Sequence, residues 1–244
     1  MPARWQIHRD QPTATSSITV NASGENQIAM TFGANEHLDV AFVRAQSELF
    51  AAARILLLQL ENNLDAVAAA LDLGRRHGLV CALNPAPVHA QLGASLLQRA
   101  DIITPNETEF SLLLERFANE DVDPATLAQR DDADLHALAR KLGVATVVVT
   151  LGSRGCFVSH GADRRGDAAE CYRLPPEKVN AIDTTGAGDA FSGALTAGLA
   201  RFAGKPFRDA VIHANRAAAM STEIVGTAPA MPTYDAVIKR FGGS

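Results

Sequence analysis

Cysteine, basic surplus and long apolar runs are all scarce in this 244-residue chain. Cysteine occurs only at Cys81, Cys156 and Cys171, far apart and never as C-x-x-C. An odd, scattered set argues against a disulfide framework and fits a reducing cytosol. Cys81 and Cys156 lie inside apolar runs, where a small core side chain is expected. Acidic residues outnumber basic ones, 27 to 22, for a net charge of −5. An electrostatic grip on nucleic acid or an anionic membrane is therefore not expected. The short basic pairs Arg75-Arg76 and Arg164-Arg165 read as solvated surface. No apolar run approaches a membrane span, and the opening MPARWQIHRDQPTATSS lacks the apolar segment of a signal peptide. The expectation is a cytoplasmic protein.

Several chemical signatures are missing too. The seven histidines form no H-x-x-x-H pairing, so a transition-metal site has no support. The chain contains no G-x-S-x-G elbow of a serine hydrolase. It also lacks a Walker A loop and a G-x-G-x-x-G, so the common nucleotide folds are not indicated.

What is present is ordinary globular composition, 47% hydrophobic and 20% charged, enough for one large domain. No internal repeat or long low-complexity linker interrupts it. Residues 15–32 read as two strands around an Asn-Ala-Ser-Gly turn. A helix is expected over 38–53. RILLLQLE (54–61) is an almost continuous apolar run, as in a strand buried on both faces of a parallel sheet. Helix 64–77, strand 78–84, a further helix, and DIITPNE (101–107) follow. Helical segments at 107–117 and 132–142 precede ATVVVTLG (145–152). GCFVSH and AECYRL read as a hairpin looped by GADRRGD, and helices are expected at 189–202, 207–223 and 233–241. Such alternation implies an open α/β sheet.

In such sheets ligands bind beyond the C-terminal ends of the strands. The residues there are Glu61, then NPAP (84–87), then NETE (106–109), then TLGSRG (150–155). Polar and turn-forming residues thus collect four times in succession where the fold puts its site. A fifth stretch, DTTGAGDAF (183–191), sets a glycine loop at the start of a helix. A helix start offers unpaired N–H groups and partial positive charge, which suit an anion. Asp189 falls in the first turn, where it can accept a proton or hold a hydroxyl. From these residues alone two readings stand: a kinase base beside a phosphate loop, or an Asp near a helix N-terminus after a flexible loop.

DTTGAGDAF resembles the C-terminal signature of the ribokinase-like (PfkB) sugar kinases. QLE (59–61), NPAP, TPNETE (104–109) and TLGSRG match in the family's order, and SGENQI…GAN (23–35) resembles the stretch before them. The resemblance runs from about residue 15 to the C-terminus. It implies a ribokinase-like fold: an open, mostly parallel sheet flanked by helices, with a small β-lid. Residues 1–35 would be a partial lid and 36–244 the α/β nucleotide-binding and catalytic region.

The resemblance also implies roles. Asp189 would be the catalytic base, and Gly186, Ala187 and Gly188 the anion hole. Asn106 and Glu109 match an N-x-x-E element that acts near the triphosphate and Mg²⁺, largely through water. Read without the family, the same residues form an N-capped helix start. Thr150, Leu151, Gly152, Ser153, Arg154 and Gly155 would hold ATP, with Gly188, and Asn215 would lie beside the adenine. Glu61 would contact the sugar, with D-ribose the favoured acceptor at its 5-hydroxyl. Asp183, Thr185, Ser221, Ile224 and Gly226 occupy positions matching a K⁺ site built mostly of backbone carbonyls. Ala230 stands where relatives often carry a hydroxyl. A homodimer through the lid is implied as well.

Full family members open with a strand bearing a sugar-binding Asp and then a G-G-x-x-x-N motif. The first glycine here is Gly24, and nothing before it resembles either element. The N-terminal strands of the family fold are therefore expected to be missing, leaving strand edges and apolar helix faces uncovered. Two hypotheses follow: an ATP-dependent sugar kinase, or a shortened protein that binds nucleotide or a partner subunit without catalysis.

Overall fold

The computed structural model describes residues 3–20 and 26–242. Strands β1 (Thr13–Val20) and β2 (Asn26–Gly33) form an antiparallel ribbon, in register from Thr13–Gly33 to Val20–Asn26. The expected turn at 21–24 lies outside the described residues. Gly33 closes the ribbon's base with φ at +49°, where an added Cβ would stand 2.2 Å from the Pro12 carbonyl oxygen. Only glycine fits there.

The expected helix over 38–53 is two helices, α1 (Val40–Ala45) and α2 (Ser47–Ala51). Asp39 caps α1 by accepting from the Phe42 N–H at 2.6 Å. The chain tightens at Gln46, whose N–H reaches back three residues to the Val43 carbonyl. The bend lets both Val43 and Phe50 pack against Ala66, Ala69, Ala70 and Leu73. Helix propensity alone contains no sign of that break, because tertiary burial decides it.

The main sheet is built from β3 (Ile55–Leu58), β4 (Val80–Leu83), β5 (Ile102–Ile103), β6 (Thr146–Thr150), β7 (Cys156–His160) and β8 (Cys171–Leu174). Its order follows the chain; β3 to β6 are parallel, and β7 and β8 are antiparallel additions. The connections carry α3 (Leu64–Arg76), α4 (Ala94–Leu97), α5 (Glu107–Ala118), α6 (Pro124–Leu127) and α7 (Asp132–Lys141). Beyond β8 come α8 (Ala187–Arg201), α9 (Phe207–Ser221) and α10 (Tyr234–Phe241).

Side-chain alternation along each strand divides the core. Val147, Val149, Leu83, Ile103 and Phe157 face α3, α5 and α7. Val148, Ala82, Ile102, Cys156 and Val158 face α8 and α9. Both faces being buried explains the nearly unbroken apolar runs. Cys81 and Cys156 are fully buried, as expected, and burial pushes the Cys81 thiol up to about 11.

Arg165, read above as solvated, is instead largely buried. Its Nε donates to Thr146 Oγ1 at 3.2 Å. The Thr146 hydroxyl lies 3.2 Å from His160 Nδ1, and His160 Nε2 lies 3.1 Å from Asp167 Oδ2. Asp167 also accepts from the Tyr172 hydroxyl at 2.7 Å and the Arg208 N–H at 2.9 Å. A neutral imidazole with its proton on Nε2 satisfies every partner in this chain. A second proton would leave the threonine hydroxyl hydrogen without an acceptor.

Burial, opposed by Asp167, holds the His160 pKa below its ordinary 6.5. The unfolded chain therefore takes up a proton that the native state resists. This contribution is fully present above pH 6.5 and is lost as pH falls. Burial lowers His213 in the same way. Urea denaturation should show lower stability at pH 5.5 than at pH 8 from this source, and His160→Gln should reduce that difference. Equal pH dependence in parent and variant would refute the neutral assignment.

Candidate nucleotide and substrate site

Five segments converge beyond the C-terminal ends of the parallel strands. Gln59, Leu60 and Glu61 follow β3, and Leu60 N–H donates to the Ala86 carbonyl of the NPAP loop at 3.1 Å. Thr104 follows β5, and its hydroxyl meets Ser192 of α8 at 3.0 Å in the buried interior. Asn106 then bridges to Thr150 at the end of β6.

Asn106 is the N-cap of α5. Its Oδ1 accepts from Glu109 N–H at 2.8 Å, and Glu109 Oε2 accepts from Asn106 N–H at 2.9 Å. This reciprocal pair is a capping box. The structural reading of PNETE is therefore realised in full. Glu109 keeps one carboxylate oxygen outside the box. Burial first, and then the nearby Asp189 charge, raise its pKa against the Asn106 hydrogen bond. Glu61 is raised by the same two causes in the same order.

TLGSRG forms a tight turn. Leu151 N–H donates to the Gly155 carbonyl at 2.8 Å, and a Cβ on Gly155 would lie 2.0 Å from the Leu174 carbonyl oxygen. Thr150, Gly152, Ser153 and Gly155 line a cleft of about 700 Å³. Leu151 does not line it, being 1% exposed in the core, and neither does Arg154.

The glycine loop is fixed by Asp183. Its Oδ1 accepts from Thr185 N–H and its Oδ2 from Gly226 N–H, each at 2.9 Å. These bonds, Gly226 first, lower the Asp183 pKa. Gly186 takes a left-handed φ of +79° as the N-cap of α8. Ala187 N–H turns back to the Thr184 carbonyl at 3.2 Å. The free first-turn donors of α8 are thus those beyond Ala187.

Gly188 lines the 700 Å³ cleft with Thr184, Ala187 and Asn215. Asp189, the next residue, lines a second, open groove of about 980 Å³ on the other side of the helix start. Its Oδ1 accepts from Gln59 Nε2 at 2.6 Å. Gln59 stood in the QLE match without a role, and only the fold brings it to Asp189.

The other expected residues divide. Asp183, Thr185 and Gly226 come together directly. Ser221 is buried and gives its hydroxyl to the Ala218 carbonyl at 2.8 Å. Ile224 is 54% exposed, with its side chain outside this cluster. Asn215 lines the cleft, and its amide donates to the Pro175 carbonyl at 2.9 Å. Glu177, Lys178, Glu223 and Arg240 also line the cleft, and no motif announced them.

Comparison with known proteins identifies the family. The profile of the pfkB family carbohydrate kinases matches residues 3–234. The ribokinase of Schizosaccharomyces pombe is 34% identical over 92% of this chain and 66% of its own length. That of Haemophilus influenzae is 36% identical over 91% of this chain and 66% of its own length. Among solved structures, ribokinase from Thermotoga maritima aligns with a TM-score of 0.77 at 28% identity, covering 94% of this chain and 69% of that one. Arabidopsis thaliana ribokinase complexed with ribose and ATP aligns at 0.75 and 25% identity, covering 96% and 71%. The chain belongs to the pfkB family of carbohydrate kinases. It spans about two thirds of the length of the curated relatives it matches.

The capping box makes a testable demand. Asn106→Ala should lower stability by about 1 kcal/mol, and Asn106→Asp should keep most of it, as read by denaturant unfolding. Equal stability of both variants would mean that the box carries nothing.

Proposed function

We propose that this protein transfers the γ-phosphoryl group of ATP to a sugar hydroxyl, with the 5-hydroxyl of D-ribose the favoured acceptor. One observation carries the reading. Gly188 and Asp189, adjacent in the first turn of α8, face two different cavities. A nucleotide in one and a sugar in the other would meet at that turn.

In this reading Asp189 accepts the proton of the attacking hydroxyl, while Gln59 holds its other oxygen. Glu61 orients the sugar. The glycine loop would stabilise charge on the transferring group through the free N–H groups beyond Ala187 at the N-terminus of α8. Transfer needs positioning and neutralisation more than covalent chemistry.

Mg²⁺ suits this site only in a water-rich form. Among the described residues no three His, Cys, Asp or Glu side chains cluster as metal ligands. Mg²⁺ commonly keeps several waters and takes substrate phosphates as ligands. The oxygen of Glu109 left outside the capping box would hold such a water. For K⁺, Asp183, Thr185, Ser221, Ile224 and Gly226 would offer oxygen donors, mostly backbone carbonyls, which suits a hard cation of low charge. The Asp183 carboxylate holds the segments on either side of that position together.

A second reading has its own support. The groove beside Asp189 is lined by Ala190, Gly193, Ala194 and Ala197, and Leu57 on the end strand β3 is 37% exposed. A partner seated there, without catalysis, would leave a nucleotide-binding subunit. The β1–β2 ribbon, with Ile18 and Met30 exposed, would serve a homodimer. Free thiols at all three cysteines suit a cytoplasmic setting.

The test is ADP release by the purified chain with Mg-ATP, K⁺ and ribose. Turnover should require ribose and fall about 10²–10⁴-fold in Asp189→Asn. Tight nucleotide binding with no ribose-dependent turnover would favour the second reading.

A further inference from the structure

One wall of the nucleotide cleft is a strap, residues 175–182, with no regular secondary structure over most of its length. Its backbone and side chains are stitched to α9 and the turn after it. At its start, the Asn215 amide donates to the Pro175 carbonyl at 2.9 Å. Next, Arg216 Nε reaches Glu177 Oε1 at 3.1 Å. At its end, the Ile182 N–H donates to the Thr222 carbonyl at 2.7 Å.

The middle of the strap hangs on one carboxylate. Asn180 N–H donates to Glu223 Oε1 at 3.1 Å. Glu223 is in turn gripped by both terminal nitrogens of Arg240, Nη2 lying 3.0 Å from Oε1 and Nη1 bonding Oε2. Arg240 belongs to α10, which is anchored separately. The guanidinium groups of Arg216 and Arg240 lie 5.5 and 5.2 Å from the centroid of the Phe241 ring. Tyr234 packs on His213 at 5.1 Å between centroids.

We propose that Glu223 and Arg240 are positioning residues of the nucleotide cleft: through the Asn180 N–H they hold the strap at the width a bound nucleotide needs, with α10 as the anchor. The inference rests on the nucleotide reading of this cleft and adds the device that shapes it. The Arg240 and Glu223 side chains are 37% and 22% exposed. A pair so exposed contributes little to global stability, so its loss should leave the fold intact. A bidentate guanidinium–carboxylate pair is nonetheless geometrically exacting. Releasing the strap makes the binding-competent shape a fraction of the population, and apparent affinity falls by that fraction.

The test is titration of the full chain with fluorescent N-methylanthraniloyl-ADP, for the parent, Glu223→Ala, Arg240→Met and the double variant. Each single variant should weaken binding about 5–10-fold. The double variant should lose no more than either alone, because both act through one contact. Arg240→Lys, lacking the fork, should rescue only part of the loss, while thermal melting of the unliganded variants stays near the parent's. If the parent binds and the variants bind equally well, the positioning role is overturned and the nucleotide site stands. If Glu223→Ala binds tighter and only Arg240→Met binds weaker, Arg240 touches the nucleotide itself, which also overturns it. If the parent chain does not bind, the nucleotide reading fails, and with it this inference.

Discussion

Burial of the central strands on both faces is the constraint from which the rest follows. Val147 and Val149 point to one helical layer and Val148 to the other. Helices must therefore cover both sides of the sheet, and each returns to its next strand from the same end. The consequence is topological. α3, α5 and α8 all begin near the C-terminal ends of strands, where their unpaired N–H groups and positive ends collect. The polar turns between them have nowhere else to go. A site for an anionic ligand is thus a by-product of packing a parallel core.

That arrangement also sets an electrostatic problem. Three carboxylates, on Glu61, Glu109 and Asp189, stand close enough for Asp189 to push the other two up in pKa. Like charges gathered at a helix start are unfavourable unless something divides their roles. The structure divides them by hydrogen bonding. Glu109 is engaged by the Asn106 N–H, and Asp189 by the Gln59 amide. Asp183, although in the same loop, is spent on two backbone N–H groups and works as a staple. Acidic residues that look equivalent in DTTGAGD therefore have separate occupations.

Much of this was legible in the sequence, and the limits have physical causes. The strands showed because apolar runs such as TVVV have no other cheap burial. The glycine loop showed because positive φ at Gly186 demands a residue without a Cβ. The split between α1 and α2 did not show, since no glycine or proline marks it and packing against α3 bends the chain. The resemblance grouped Leu151 and Arg154 with the nucleotide; the tight turn puts the Leu151 side chain in the core and leaves Arg154 outside the cleft lining. Asn215 lines the cleft, and its amide fastens the strap. Glu223 and Arg240 carried no signal, and Gln59 stood in a matched motif without a role. Their partners are brought near only by the fold, and an isolated charge on a C-terminal helix looks like any solvated residue.

The two halves of the site differ in how they are enclosed. On the nucleotide side, the strap, the TLGSRG turn and α9 surround the cleft. On the other side, Asp189 opens onto a groove walled by small side chains of α8. Among the described residues no strand pairs with the outer edge of β3. Asp189 is itself exposed. In the kinase reading proposed above, a phosphoryl acceptor would have to be held in line there, and orientation supplies a large part of such catalysis. On the same reading, the nucleotide half is preorganised by hydrogen bonds already in place, and the acceptor half would draw its order from the ligand and from Glu61 and Gln59.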